Sequence, residues 1–305
     1  MKFGARLEAI PTRVYDYEVI CGSVGEETYP EVFEIEDEVA VKDQGDVSAC
    51  AAFAYATILE HIFGKRMSEP FIYGMLRDDA DKHPGMYVSK LLTLAVKIGA
   101  VPLSDFGVLL EMPDIRDMVK KFPELLDVAH QYTIKGFANL NYSDLNKRHK
   151  AIQHALTHNK TPDGKPIPLL AVSYEYFGEC HAIVLKGWND KTKKYKIQNS
   201  WGESWKDGGY AYVPPSAIDE VYSIYPNELV LPFTDVSDKD WFFKDVKNMF
   251  FSGLVKGTTE TTFEPNKPVI RAEVVAMFNR YSKRNDEENE RIWRVLNEIK
   301  DMLKG

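Results

Sequence analysis

The chain has 305 residues, of which 44% are apolar and 28% charged, and its formal net charge is −8. This length accommodates one large domain and a smaller one, and the composition is ordinary for a globular protein. The acidic balance argues against sequence-independent nucleic-acid binding, which needs a surplus of Lys and Arg. No apolar run approaches the roughly 18 residues that a membrane-spanning helix needs.

The amino-terminal segment and the cysteines exclude further classes. Residues 1–20 carry scattered charges and lack the apolar core of a secretory signal peptide, so none is expected. The cysteines are Cys21, Cys50 and Cys180, an odd and low count that does not make a disulfide framework. No CxxC pair or His/Cys cluster has zinc spacing. We therefore expect neither a metal site nor a cofactor.

Helical patterns dominate the first part of the chain. The run from Cys50 to Phe63 is dense in helix formers and apolar on more than one face, which predicts a helix buried on most sides and capped by Ser48. A second helix is predicted from Ser68 to Asp79. A third runs from Tyr87 to Ile98 and ends at Gly99.

Short β-rich segments follow after about residue 130, with one helix predicted from Tyr142 to Asn159. Helices first and strands second predict an α+β protein with a helical lobe and a β-rich lobe. A cleft between two lobes is a favoured place for a site. The strand-like segments, separated by turn signals, are 166–175, 181–188, 194–201 and 208–215.

A nucleophilic thiol is indicated at the start of the first helix, where free backbone N–H groups and the helix dipole favour the thiolate of Cys50. Gln44 lies six residues earlier, and its amide NH2 together with the Cys50 N–H is suited to bind a developing oxyanion. His181 opens a β-like run, and Asn199 follows it. An Asn side chain can hold an imidazole in one tautomer, and a neighbouring Trp can keep water off that hydrogen bond.

Together these motifs resemble the papain family of cysteine peptidases, over roughly residues 10–230. The loop KDQGDVSACAAFA is similar to the family's nucleophile loop, and His181 lies 131 residues after Cys50. Asn199-Ser-Trp-Gly, followed by a Trp and a Gly-Gly-Tyr turn, matches the family's Asn motif. The resemblance implies that Cys50 is the nucleophile, His181 the general base and acid, Asn199 its orienter and Gln44 the oxyanion donor. It also implies a groove for an extended peptide, to which Gly85, Met86 and Trp201 contribute.

Three positions depart from the family's usual pattern. Val47 replaces a disulfide-bonded Cys, Ala51 replaces the Trp that usually follows the nucleophile, and Cys180 precedes the His in place of Asp or Asn. Cys180 is either a core cysteine of the strand or a second thiol near the site. Beside a thiol endopeptidase, two alternatives stay open: a catalytically silent peptidase-like binding or structural protein, and a wall-lytic amidase.

Residues 233–283 carry a separate pattern that includes Trp241-Phe242, Gly253-Leu-Val-Lys-Gly257, Phe263 and Val269-Ile-Arg-Ala-Glu273. This pattern resembles an S-layer homology module, a unit similar to lectins for the secondary cell-wall polysaccharides of Gram-positive bacteria. The resemblance implies that Trp241 lies near the sugar, that Gly257 allows close backbone approach, and that Arg271 pairs with an anionic substituent. Phe263 is expected in the module's core.

The tail over residues 285–304 has a narrow apolar stripe that predicts an amphipathic helix or a short coiled coil; a helix packed on its own domain stays open. S-layer homology modules usually come in three copies, and this chain has one next to the heptad-like tail, so we hypothesise that three chains associate through the module and the terminal helix. The predicted domains are a peptidase domain at 1–232, the module at 233–283 and the terminal helix at 284–305.

The expected partners are a peptide or protein substrate and a wall polysaccharide, with no nucleic acid and no membrane span. By resemblance, the expected location is the cell surface or the cell wall. Because no signal peptide is expected, a phage-encoded protein or one released by lysis stays open.

Overall fold

The structure is a computed structural model, and its described residues fall into two compact units that divide after residue 228. Each unit is described by itself. The described residues are 27–36, 39–77, 85–106, 123–161, 163–226, 233–251, 255, 257–259 and 262–279.

The first unit combines helices with an antiparallel sheet, as predicted. Its helices are α1 (Cys50–Phe63), α2 (Glu69–Met75), α3 (Val88–Ile98), α4 (Leu103–Phe106), α5 (Glu124–His130) and α6 (Leu145–His158). Its strands are β1 (Val32–Glu34), β2 (Ile134–Asn139), β3 (Leu169–Ser173), β4 (His181–Asn189), β5 (Lys194–Gln198), β6 (Tyr210–Val213) and β7 (Glu220–Pro226).

Most of the predicted helix boundaries are confirmed, and the exceptions are the end of α2 and the cap of α1. Helix α2 begins after Ser68, whose side chain accepts the Phe71 N–H, but it ends at Met75, earlier than predicted. Helix α3 ends at Gly99, whose φ of 83° favours glycine. The predicted Ser48 cap of α1 is wrong, because Ala49 occupies the cap position and makes no side-chain hydrogen bond.

The seven strands form one sheet in the order β2-β7-β3-β4-β5-β6, with β1 paired to β4. Strand β4 lies inside the sheet, because β3 pairs with its residues 181–185 on one side and β5 pairs with its residues 184–189 on the other. In this register Ser173 faces His181, and Val172 lies between Ala182 and Glu220 on the two neighbouring strands. The sheet therefore fixes the backbone on which His181 stands.

Both faces of the sheet are buried, which explains the continuous apolar runs of β3 and β4. Because side chains alternate between faces along a strand, Leu170, Val172, Ala182 and Val184 pack on one face with α1. The intervening residues pack on the other face with α6; they include Leu169, Ala171, Ile183 and Leu185.

Strand β1 approaches β4 closely at Gly187. A Cβ atom there would lie 2.9 Å from the Cα of Glu34 and would also overlap the carbonyl oxygen of Phe33. The ring of Phe33 stacks on Trp188, with centroids 4.9 Å apart. Glycine at position 187 thus lets the segment that precedes the candidate nucleophile join the sheet.

The second unit is small and helical in its described part, with α7 (Phe243–Phe251) and a helix at residues 271–279. Its core contains Phe233, Val236 and Val246, and Phe263 packs against it as expected. The predicted terminal helix at 284–305 and residue Gly253 lie outside the described residues. The three-chain hypothesis stays a prediction at this point.

Candidate active site

Helix α1 places Cys50 at its first residue, and the side chain is buried, with 0% of its surface exposed. The helix has 14 residues, so the sulfur lies at the positive end of a full-length dipole. The helix N-terminus stabilises a thiolate, whereas burial of the side chain opposes ionisation.

Strand β4 brings His181 to the same point. The backbone N–H of Ala182 donates a hydrogen bond to Cys50 Sγ at 3.3 Å, so the sulfur lies against the peptide that follows His181. These residues are far apart in sequence, and the packing of α1 on β4 joins them. The structure therefore brings together the predicted nucleophile and the backbone of the predicted base.

Asn199 follows β5 and meets the imidazole directly. Its Oδ1 atom lies 2.7 Å from Nε2 of His181 and also accepts the Ser200 backbone N–H at 2.8 Å. Because a backbone N–H only donates, the second bond identifies the facing atom as oxygen. Nε2 of His181 is then the donor, and in the neutral ring Nδ1 is the basic nitrogen.

Aromatic rings cover the imidazole, and its side chain is 0% exposed. Trp201 lies over it with ring centroids 4.6 Å apart, and Phe177 meets it edge-on at 5.4 Å. Trp205 packs against Trp201 at 5.5 Å. Excluding water in this way strengthens the His181–Asn199 hydrogen bond. Sequence reasoning missed Phe177, whose one signal is its position in an aromatic turn four residues before the histidine.

Burial lowers the pKa of His181 to about 4, and the hydrogen bond that Nε2 donates to Asn199 opposes this shift. The ring is therefore neutral at pH 7 as long as no negative charge faces it. A neutral imidazole is the form that can accept a proton from a thiol.

The predicted oxyanion donor belongs to a loop that pairs with the Asn199 segment. The Gln44 N–H donates to the Ser200 carbonyl at 2.8 Å, and the Gly202 N–H donates to the Lys42 carbonyl at 3.0 Å. In the side chain, Gln44 Oε1 accepts the Ser200 hydroxyl at 2.6 Å, and Nε2 donates to the Val47 carbonyl at 2.8 Å. The structure thus brings Gln44 to the segment that carries Asn199.

A buried ion pair fixes the base of that loop. The Lys42 ammonium lies 2.6 Å from Glu60 and 3.4 Å from Glu69, and Arg66 lies 2.8 Å from Glu69. Burial lowers the pKa of Lys42, and the two carboxylates oppose this shift. Removing one partner of such a pair costs about 3–5 kcal/mol, because the other charge is left buried. Sequence reasoning missed this cluster.

Comparison with solved structures then reveals the fold. Xylellain, a cysteine protease from Xylella fastidiosa, matches with a TM-score of 0.57 and 18% identity, over 74% of this chain and 96% of that one. ProCathepsin B S9 from Trypanosoma congolense matches with a TM-score of 0.50 and 13% identity, over 74% and 87%. The first unit has a papain-like fold.

Residues 232–275 match the family model of the S-layer homology domain. No curated protein matches the chain. Among the described residues, no helix is both long and apolar enough to cross a membrane. We refer below to the papain-like unit and the S-layer homology unit.

The predicted groove residues of the papain-like unit occupy different environments. Gly85 is buried, and its N–H donates to the Tyr73 hydroxyl at 3.4 Å. The Met86 side chain is only 1% exposed and packs in the core with α1, so only its backbone can meet a ligand. Trp201 covers His181, as described above. Its contact with the imidazole accounts for its position without a ligand.

Cys180 is half-buried just before β4. Burial, with smaller effects of Cys50, Glu220 and Asp219, raises the pKa of its thiol to about 12. Glu220 in turn accepts hydrogen bonds from the hydroxyls of Tyr174 and Tyr222. The Cys180 thiol therefore stays protonated at neutral pH and is a poor nucleophile.

In the S-layer homology unit, the three predicted sugar-binding residues differ in exposure. Trp241 is 88% exposed, and Arg271 is exposed at the start of the helix at 271–279. A Cβ atom on Gly257 would lie 2.5 Å from the Phe233 ring and 2.7 Å from the Thr262 carbonyl oxygen. The packing of the unit itself thus accounts for glycine at 257.

A cavity of about 270 Å³ lies in the S-layer homology unit. Its lining includes Gly257 but neither Trp241 nor Arg271. This cavity is therefore lined by only one of the three predicted residues. Polar side chains in its wall are those of Thr258, Glu264, Lys267 and Glu273.

The buried His181 predicts a pH effect that can be measured in the Cys50→Ala protein, where no thiolate can stabilise a charged ring. There His181 is expected to titrate near pH 4, below the usual value of about 6.5. Between these values the unfolded state binds more protons than the folded state. The contribution to stability is therefore complete above pH 6.5 and falls by about 3 kcal/mol as the pH drops to 4.

An NMR titration of ¹⁵N-labelled histidines measures this pKa, with the His181 signal assigned from His181→Gln. Urea unfolding between pH 4 and 7 measures the stability, and His181→Gln should flatten its pH dependence. The matched control is His130→Gln, at an exposed histidine of α5. A His181 signal that titrates near 6.5 in the Cys50→Ala protein would contradict the prediction.

Proposed function

We propose that the chain is a thiol endopeptidase that hydrolyses peptide bonds through Cys50, His181 and Asn199 and is held at a bacterial cell wall by its S-layer homology unit. The observation that carries the enzymatic part is the contact of Cys50 Sγ with the Ala182 N–H, next to an imidazole held by Asn199. The match to the S-layer homology domain supports the second part.

The proposed reaction begins when Nδ1 of His181 takes the thiol proton of Cys50. The thiolate attacks the carbonyl carbon of the scissile peptide bond, and the helix N-terminus stabilises its charge until then. The imidazolium gives its proton to the leaving amine, which departs and leaves an acyl-enzyme. Water, deprotonated by His181, then attacks the acyl carbon to form a second tetrahedral intermediate. Its C–S bond breaks to release the acid, and the Cys50 sulfur takes back the proton from the imidazolium.

The oxyanion of each tetrahedral intermediate is proposed to accept hydrogen bonds from the Cys50 backbone N–H and the Gln44 amide. The Gln44 NH2 group has two hydrogens, and the Val47 carbonyl accepts one of them. The loop is held by the Lys42–Glu60 ion pair, so the donor is fixed before the charge develops. Loss of one such donor costs roughly 10²–10³-fold in kcat.

The absence of the family's usual Trp at position 51 motivates the catalytically silent alternative. Ala51 is the second residue of α1, and its side chain is buried in the core of the papain-like unit. Phe177 and Trp201 already provide apolar cover for the imidazole. This cover supports an active site despite Ala51.

Substitution of the two described thiols separates these alternatives. Cys50→Ala is expected to abolish casein hydrolysis, because no other residue replaces the nucleophile. The matched control Cys180→Ala should keep activity, since the raised pKa of Cys180, about 12, leaves its thiol protonated. Peptide mapping after treatment with a thiol-directed epoxide should find the adduct on Cys50.

Two outcomes would contradict the endopeptidase. An unlabelled Cys50 in a folded protein that does not cleave casein would favour the silent alternative. Amine release from purified peptidoglycan without casein cleavage would favour the amidase.

Wall binding is proposed to depend on Trp241 and Arg271. An exposed indole offers a large apolar face to a sugar ring, and a guanidinium can bind an anionic substituent through two parallel hydrogen bonds. Trp241→Ala and Arg271→Gln are each expected to weaken co-sedimentation with purified walls at least 10-fold without changing casein hydrolysis. Matched controls on the same unit are Met249→Ala and Lys239→Gln, both at exposed positions. Equal losses in variants and controls would contradict these roles.

The proposal also includes the association of three chains. Exposed apolar side chains of the S-layer homology unit support this association. Four apolar side chains within one ten-residue stretch are each between 58% and 69% exposed: Val269, Ile270, Val275 and Phe278. Large apolar side chains grouped in this way mark a surface that a protein partner covers.

Light scattering at micromolar concentration should give about three times the mass of one chain. Val275→Glu and Phe278→Glu are expected to yield monomers, because association would bury the new charge. Met249→Glu, at a position 46% exposed on α7, is the control and should leave the mass unchanged. A monomeric wild-type protein would contradict the three-chain association.

A further inference from the structure

Two histidines and a glutamate lie together on the papain-like unit, apart from the residues of the proposed reaction. His154 and His158 are one turn apart on α6, and their rings stack with centroids 4.2 Å apart and an interplanar angle of 11°. One of the two rings must therefore rotate about its side-chain torsions before both can coordinate the same ion. Glu27 comes from the segment before β1. One ligand atom from each of the three side chains lies within 4.8 Å of the other two.

The hydrogen bonds of His158 decide which ring nitrogen faces the glutamate. Its Nδ1 atom lies 2.9 Å from the Thr157 hydroxyl and 3.2 Å from the carbonyl oxygen of His154. A carbonyl oxygen only accepts, so Nδ1 carries the hydrogen and the neutral ring has its lone pair on Nε2. Histidines that bind metals are commonly oriented by such a bond from the other ring nitrogen.

Nε2 of His158 lies 3.6 Å from Oε2 of Glu27. A lone pair facing a carboxylate is repulsive unless a cation lies between them, either a proton on Nε2 or a metal ion. Zinc bonds of about 2.0–2.2 Å put two ligand atoms of a tetrahedral site roughly 3.3–3.6 Å apart. The His158–Glu27 separation already meets this requirement.

Neighbouring groups also contact the other two side chains of the cluster, Glu27 and His154. The Tyr29 hydroxyl donates at 3.0 Å to Glu27 Oε2, the same oxygen that faces His158, and so helps to hold the carboxylate in place. The His154 ring is partly buried beside that of His158.

We propose that Glu27, His154 and His158 bind a divalent transition-metal ion, with Zn²⁺ as the best match. Two imidazole nitrogens and one carboxylate oxygen are ligands that Zn²⁺ accepts, and a fourth position is left for water. The ion fastens the segment before β1 to the last turn of α6. This proposal revises the expectation of no metal site. The sequence analysis overlooked the His-x₃-His pair on a predicted helix, and the third ligand is 127 residues away from His154.

Isothermal titration with Zn²⁺ tests this site in the full chain. The parent protein carries Cys21→Ser, Cys50→Ala and Cys180→Ala, so that no thiol competes for the ion. It is expected to bind one equivalent. His154→Ala and His158→Ala should each weaken binding at least 100-fold, and Glu27→Gln at least 10-fold. The control His130→Ala removes an exposed histidine from another helix and should change nothing.

Two further measurements separate metal binding from damage to the fold. The visible spectrum of bound Co²⁺ should show the intense bands of a four-coordinate ion in the parent and lose them in His158→Ala. Excess Zn²⁺ should raise the urea midpoint of the parent but not of His154→Ala or His158→Ala. A parent that binds no Zn²⁺, or a folded His158→Ala that binds it equally well, would overturn the proposal and leave a simple Glu27–His158 ion pair.

Discussion

The packing of α1 against the sheet is the constraint on which the candidate site depends. Its small residues Ala51, Ala52, Ala54 and Ala56 are all buried, which allows the helix axis to approach β3 and β4 closely. At the start of the helix this approach presses Cys50 against the peptide after His181. Near its end Glu60 holds Lys42, two residues before Gln44. One helix thus positions both the sulfur and the loop of the proposed oxyanion donor.

Sequence reasoning predicted the parts of this arrangement that depend on local pattern. The run from Cys50 to Phe63 is apolar on several faces, and the structure buries it on several faces. Strands β3, β4 and β5 were predicted because their apolar residues are bounded by strong turn signals. The resemblance to the papain family identified the residues that the sheet brings together, Cys50 with the His181 backbone and His181 with Asn199.

The rest could not be predicted because it depends on contacts between distant segments. Strand β7 contains Val, Ile and Tyr, which favour strands, but its position between β2 and β3 appears only in the fold. The Lys42–Glu60 pair is two ordinary charged residues in sequence, and their burial appears only in the fold. The burial of the Met86 side chain in the core likewise appears only in the fold, and the contribution of its backbone to a peptide groove stays a prediction.

The tight surroundings of Gly257 affect how mutagenesis of the S-layer homology unit is interpreted. An added methyl group would meet the Phe233 ring and the turn formed by residues 259–262 before it met any ligand. Alanine scanning would therefore record a loss of wall binding at this position through strain in the unit, whether or not the residue contacts a carbohydrate. Such a scan locates a lectin surface correctly only when each variant is also shown to keep its native conformation.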